Sequence, residues 1–254
     1  MKKILLATVT LLVIASCSKD KTETPAPPPA PPTVEKLLVK EQDMAPGGSA
    51  KTYLYDAQKR IVKEDGPVIT YNIEYLQGKI LLTSIQKSNG AISSTREILL
   101  DASGRATQIV QKDKNGVLIG TETAEYNADG YMIRHKTVYA DGDTYESLYT
   151  ITNGNATKEV AYENGLMEDQ TDYFYDEAIP SKVYFVMNSN WMIRNLWGKG
   201  YKNEMKGFKR YASNGQPQFD CTRVVTLDAD GYVIKRVSTY PIWNQQVETT
   251  YTYQ

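Results

Sequence analysis

From about residue 50 onward, apolar and polar positions alternate over runs of eight or nine residues, and turn-forming pairs punctuate the runs. A period of two places successive side chains on opposite faces of an extended chain, and such runs are too short for typical helices. From Tyr131 to Tyr139, one face carries Tyr131, Ile133, His135, Thr137 and Tyr139, and the other carries Met132, Arg134, Lys136 and Val138. The first face is the expected interior. Tyr145, Ser147, Tyr149 and Ile151 repeat the pattern on the next run, so neighbouring tyrosines can stack across strands. Glycines recur at 66, 78, 90, 104, 116, 130, 142, 154 and 165, a beat of 11 to 14 residues. Several follow Asn or Asp, as in Asn89-Gly90, Asp129-Gly130 and Asn153-Gly154, pairs suited to positive φ in hairpin turns. The pattern predicts an all-β fold: a single large antiparallel β-meander of about a dozen strands, strongly twisted and curled on its tyrosine-lined face.

The alternation breaks after Tyr173-Phe174-Tyr175-Asp176, and an irregular or short helical insertion is expected near residues 187–207. Six basic residues between Arg194 and Arg210 face one acid, Glu204, so the segment is locally about +5. Exposed tryptophans and tyrosines stack on sugar rings, and lysines meet acidic groups. Trp191, Trp197, Lys199, Tyr201 and Lys202 are therefore candidate ligand-binding residues, joined by Trp243 if the final hairpin returns beside them. A plug is the competing and preferred reading, with Trp191, Met192, Leu196 and Trp197 capping the open end of the curled sheet. The two readings agree if one tryptophan is buried and another exposed.

Ahead of the strands, Lys2 and Lys3 precede a twelve-residue apolar run from Ile4 to Ala15, too short to span a bilayer and suited to export. The run ends Ile14-Ala15-Ser16-Cys17, which resembles the lipobox of bacterial lipoproteins. That resemblance implies a signal peptide over 1–16 and a lipidated Cys17 that fixes the protein to a membrane. Residues 17–33 form a Pro-rich tether that favours polyproline II and reaches about 50 Å. The β domain then occupies 34–254. Without Lys2 and Lys3, 27 basic side chains stand against 30 acidic ones, which argues against nucleic acid as a partner. With one histidine, zinc sites built on several imidazoles are excluded, and no metal or cofactor is called for. Cys221 is the one thiol left; it is read as a strand residue rather than a nucleophile activated by His135. Asp228-Ala229-Asp230-Gly231 lacks the distal glutamate of a calcium loop and fits a side-chain-bonded turn better. No pair of carboxylates is placed for catalysis, so no catalytic residue is nominated.

Four segments share one unit: Tyr55-Asp56 through Ile61, Leu100-Asp101 through Ala106, Tyr126-Asn127 through Met132, and Leu227-Asp228 through Val233. They resemble the YD-repeat hairpins of Rhs and teneurin shells, and the chain as a whole resembles small lipoproteins of Gram-negative gut bacteria. Lys59 stands where the unit has glycine, Tyr131 and Tyr232 where it has arginine, and the repeats are too few to close a shell. The resemblance implies a cell-envelope protein, lipid-anchored at the outer membrane. The tyrosine-rich surfaces and the tether point to a binding or structural role, with a glycan or an envelope protein as partner, and the poor inventory of catalytic groups points away from an enzyme. The alternative is a hydrolase acting on envelope or surface glycans. Cys17→Ala is expected to abolish incorporation of labelled palmitate and partitioning into detergent, and a mutant that still partitions would contradict the anchor.

Overall fold

The computed structural model describes residues 35–45, 47–182 and 193–254. The leader, Cys17 and the tether lie outside the described residues. Glu35–Gln254 forms one compact unit. Its described residues make sixteen strands: β1 (Leu38–Asp43), β2 (Ala50–Tyr55), β3 (Ile61–Asp65), β4 (Ile69–Leu76), β5 (Lys79–Gln86), β6 (Ile92–Leu100), β7 (Ala106–Asp113) and β8 (Leu118–Tyr126), followed by β9 (Met132–Tyr139), β10 (Thr144–Thr152), β11 (Asn155–Glu163), β12 (Leu166–Pro180), β13 (Asn203–Ala212), β14 (Pro217–Leu227), β15 (Val233–Tyr240) and β16 (Gln245–Tyr253). Each strand pairs antiparallel with its neighbours in sequence, and β1 pairs with β16, so the sheet is a closed barrel.

Closure overturns the expected open meander and the expectation that the repeats are too few to close. The seam sets Glu41 opposite Tyr251, Gln42 opposite Thr250 and Asp43 opposite Thr249, and it satisfies the backbone groups that two free edges would expose. Of the insertion expected near 187–207, residues 187–192 lie outside the described residues. From 193 to 202 the chain is irregular, with a turn over 194–197 and a single bridge at Gly198, Asn203 already belongs to β13, and the helical turn among the described residues is a 3-10 turn at Pro241–Trp243.

Alternation sorts side chains between lumen and exterior. Ile80, Leu82 and Ser84 on β5, with Ile98 and Ile109 on the next two strands, are buried in the lumen. The exterior is charged along its height. Lys79 pairs with Glu97 at 3.1 Å, Arg134 with Glu125 and Glu146 at 2.7 and 2.6 Å, and Lys235 with Glu248 at 2.7 Å. Lys136 and Lys158 add cations midway along β9 and β11. A lysine or arginine facing the bilayer midplane costs about 2–4 kcal/mol, so each of these cations weighs against a lipid-facing wall.

Of the predicted interior face from Tyr131 to Tyr139, Tyr131 packs against the core and His135 and Thr137 line the lumen, whereas Tyr139 is 40% exposed and Ile133 departs from the pattern. Met132 is 2% exposed and faces the core, because β9 carries a bulge: Glu125 pairs with Arg134 and Tyr126 with Met132, so Ile133 is the extra residue and the alternation shifts by one. The same shift occurs at Leu54/Tyr55, Leu99/Leu100 and Thr226/Leu227, at each of the four shared units. In three of them an aspartate Oδ1 accepts the N–H groups two and four residues on: Gln58 and Arg60 on Asp56, Ser103 and Arg105 on Asp101, Asp230 and Tyr232 on Asp228. Asn127 accepts from Tyr131 at 3.0 Å in the fourth. The turn needs a left-handed residue, supplied by Gly104, Gly130 and Gly231 and, at φ 61°, by Lys59.

These turns share one end of the barrel, the near end, with Leu38 and Tyr253. Here five tyrosines send their hydroxyls to backbone carbonyls of the preceding hairpin: Tyr55 to Leu38 (2.7 Å), Tyr75 to Ile61 (3.0 Å), Tyr126 to Ala106 (2.7 Å), Tyr175 to Ala156 (2.8 Å) and Tyr253 to Val233 (2.8 Å). A tyrosine buries a large ring and satisfies a carbonyl at once, which explains their use where a phenylalanine would leave that carbonyl with less. Arg60 and Arg105 add guanidinium faces over the rings of Tyr75 and Tyr126, at 4.3 and 4.5 Å.

Burial pushes Tyr55 and Tyr75 up to about 12, and pushes Tyr126, Tyr175 and Tyr253 up as well. In the unfolded chain tyrosines ionise near pH 10. The folded state therefore holds protons that the unfolded state releases, so this contribution to stability is complete below pH 10 and is lost as the pH rises toward 12 and beyond. Alkaline titration is expected to show phenolate absorbance appearing together with loss of β-sheet circular dichroism. Ionisation of most tyrosines at pH 10 in an intact barrel would contradict it. Tyr126→Phe is expected to cost about 1 kcal/mol in denaturant unfolding, whereas Tyr145→Phe, whose hydroxyl is at the exposed far rim, is expected to cost less.

Candidate functional site

The near end is stoppered. Between Ile193 and Tyr201 the chain turns into the lumen and buries Ile193, Leu196, Trp197 and Tyr201 in the common core. Three near-end turns hold it by backbone hydrogen bonds: Ala106 N–H donates to Leu196 O at 2.7 Å, Lys199 N–H to Gly130 O at 2.9 Å and Lys202 N–H to Gly154 O at 3.0 Å. Gly198 bridges Tyr131 with φ 83°, and a Cβ there would fall 2.3 Å from Gly130 O and 2.9 Å from the Tyr126 ring. Only glycine fits that crossing. The Trp197 indole meets His135 edge-on at 5.1 Å, deep in the lumen, and His135 Nε2 lies 3.1 Å from Glu122.

The predicted ligand-binding residues are thus divided. Trp197 (3% exposed) and Tyr201 (5%) are core residues of the stopper, as the plug reading expects. Lys199 lies over the Tyr131 ring at 5.5 Å, and Lys202 packs beside Gly154, both on the outer side of the stopper. Trp191 lies outside the described residues. Trp243 does not join them: it sits 60% exposed on the β15–β16 connection, at the far end of the barrel. Nor do Cys221 and His135 form a pair, since Cys221 is buried with Sγ 3.7 Å from the Thr222 carbonyl while His135 engages Glu122 and Trp197.

Two cavities bear on the ends of the barrel. One, of about 530 Å³, lies at the near end among basic side chains that are already committed. Lys36 binds Asp228 at 2.7 Å and Asp230 at 2.6 Å, Arg60 binds Asp56, Arg194 pairs with Glu35, and Lys182 donates to the Asp230 carbonyl. The hydrogen bonds that Lys36 donates to Asp228 and then to Asp230 push its ammonium up to about 12. The aspartates suggestive of half a calcium loop are therefore occupied by an ammonium and by their own turn.

The other cavity, of about 490 Å³, occupies the far half of the lumen, with His135, Glu159, Tyr173 and Arg223 inside and Tyr145, Glu168 and Arg210 toward the rim. Its carboxylates are mostly held. Glu159 takes hydroxyls from Tyr149, at 3.3 Å, and from Tyr173, while Glu146 faces outward to Arg134. Buried Asp169 pairs with Arg210 at 2.9 Å. Burial, and then the charge of Glu159, raise the Tyr173 hydroxyl well above its ordinary range. Aromatic rings continue from the interior to the rim: Phe208 to Phe219 at 5.4 Å, Phe219 to Trp243 at 4.6 Å and Phe219 to Tyr240 at 5.6 Å. Phe208, Phe219, Tyr173 and Arg223 escaped the sequence reading. Alternation in Phe219-Asp220-Cys221-Thr222-Arg223 does place the first, third and fifth on one face, but period two does not say that the face surrounds a cavity.

No family model matches the chain, and no curated protein matches it. Solved structures do. A porin-like protein from Bacteroides uniformis ATCC 8492 matches with a TM-score of 0.66 at 14% identity, covering 88% of this chain and 99% of that one. A second, from Bacteroides vulgatus ATCC 8482, matches with a TM-score of 0.57 at 13% identity, covering 85% and 98%. At these identities the likeness establishes a shared barrel fold and nothing finer.

Trp197→Ala is expected to cost about 3–5 kcal/mol in equilibrium unfolding, as for deletion of a buried aromatic. Trp243→Ala is expected to stay within about 0.5 kcal/mol of the parent, as for a surface substitution. Equal costs at the two sites would contradict their placement at opposite ends.

Proposed function

We propose that this protein is a binding cup of the bacterial cell envelope, carried on a lipid anchor at Cys17 and taking its ligand into the far-end cavity. The observation that carries the reading is the combination of one stoppered end with a half-open, aromatic-lined cavity at the other. A sixteen-strand barrel is wide enough for an aqueous channel, but a conduit needs both ends free. The leader and lipobox-like Ile14-Ala15-Ser16-Cys17 support an exported, membrane-held protein. The fold shared with porin-like proteins of Bacteroides supports an envelope setting, and the charged wall supports a barrel that stands in water beside the membrane. Stacking rings at the cavity mouth favour a glycan or another ring-bearing ligand.

The test separates cup from channel. The Cys17→Ala chain is expected to purify from aqueous buffer without detergent, to leave planar bilayers non-conducting and to bind at least one member of a panel of neutral and acidic glycans. Stepwise conductance on addition to bilayers would overturn the reading.

A further inference from the structure

We propose that the far-end cavity is a receptor for a carboxylate carried on a flat ring, with Arg223 as the anion-binding group and Phe208, Phe219 and Trp243 as the stacking track that leads to it. The inference rests on the cup reading and adds the chemical class of the ligand.

Arg223 lies on the lumen face of β14 and lines the cavity. Its surroundings differ from those of the other arginines there. Arg236 pairs with Glu204 at 3.0 Å and Arg210 with Asp169 at 2.9 Å, whereas no carboxylate among the described residues pairs with Arg223. Its Nη1 meets the Met205 thioether at 3.0 Å, a weak acceptor, and its buried Nε makes no hydrogen bond. The guanidinium lies over the Phe208 ring, 5.6 Å from its centroid, a cation–π contact on one side.

A half-buried guanidinium at a cavity wall, with its Nε covered and no carboxylate partner among the described residues, has its fork open to an anion, and a carboxylate supplies two oxygens in the geometry of that fork. The cavity's own acids do not fill that place: Glu159 is held by Tyr149 and Tyr173, Glu146 by Arg134, and Glu168 stays at the exposed rim. Beyond Arg223 the rings of Phe208, Phe219 and Trp243 follow one another at 5.4 and 4.6 Å out to the exposed mouth. Flat rings attached to the carboxylate would lie along this track, and both acidic oligosaccharides and aryl carboxylates meet the description.

Calorimetric titration of the full chain with trigalacturonate, neutral galactotriose and 2-naphthoate tests the assignment. At least one acid is expected to bind about tenfold or more tightly than galactotriose. Arg223→Gln is expected to remove that advantage, Arg223→Lys to reduce it, and Arg134→Gln on the outer wall to leave it unchanged. Binding of trigalacturonate alone assigns a sugar acid, and binding of naphthoate alone an aryl acid; either supports the receptor. Phe219→Ala, which leaves Arg223 in place, is expected to weaken whichever acid binds and covers the case in which Arg223→Gln fails to fold. Galactotriose bound as tightly as the acids, with affinity indifferent to Arg223→Gln and Arg223→Lys, would keep the cup and overturn the anion receptor. No binding of either acid would overturn it too.

Discussion

Pairing of the first strand with the last is the constraint on which the other features depend. A sixteen-strand antiparallel sheet left open would present two rows of unpaired backbone groups and a wide inner face to water. The β1–β16 seam removes both edges and converts the two faces into a lumen and a wall. Once the faces are distinct, the sorting of side chains acquires meaning. The wall takes ion pairs such as Lys79–Glu97 and Lys235–Glu248, and the lumen takes Leu82, Ile98, Ile109 and the tyrosines.

A closed barrel of this size has a lumen too wide for its own wall to fill, and the near end meets that demand with the stopper. The stopper, the aspartate turns and the tyrosine braces form one assembly. Tyr126 donates to Ala106 O, Ala106 donates to Leu196 O, and the Tyr126 ring is the surface against which Gly198 crosses. Space is thereby closed at one end and left at the other, where Arg223 and the aromatic rings line what remains.

Local chemistry was legible in the sequence, and long-range pairing was not. Eight glycines of the twelve-residue beat, from Gly78 to Gly165, have positive φ, whereas Gly66 does not, because turn residues declare themselves within a few positions. The plug around Leu196 and Trp197 could be anticipated from its break in period. Ile133 was assigned to the wrong face because it is itself the extra residue of a bulge opposite Glu125 and Tyr126, which resets the alternation at Met132 and shows only once β8 and β9 are paired. Closure depends on Leu38–Asp43 meeting a partner more than 200 residues later, and nothing in LVKEQD or QQVETTYTY names the other. The far-end cavity was hidden for the same reason: it exists only once the sheet is a ring.

The seam can be tested directly. Gln42 and Thr250 are cross-strand partners on β1 and β16, and opposite positions bring Cβ atoms within about 5 Å, close enough for a disulfide after small adjustment. In a chain with Cys17 and Cys221 replaced, Gln42→Cys with Thr250→Cys should oxidise to an intramolecular disulfide in the monomer and raise the melting temperature. If oxidation gives only dimers, or leaves both thiols free in the folded protein, the two strands are not neighbours and the barrel is not closed.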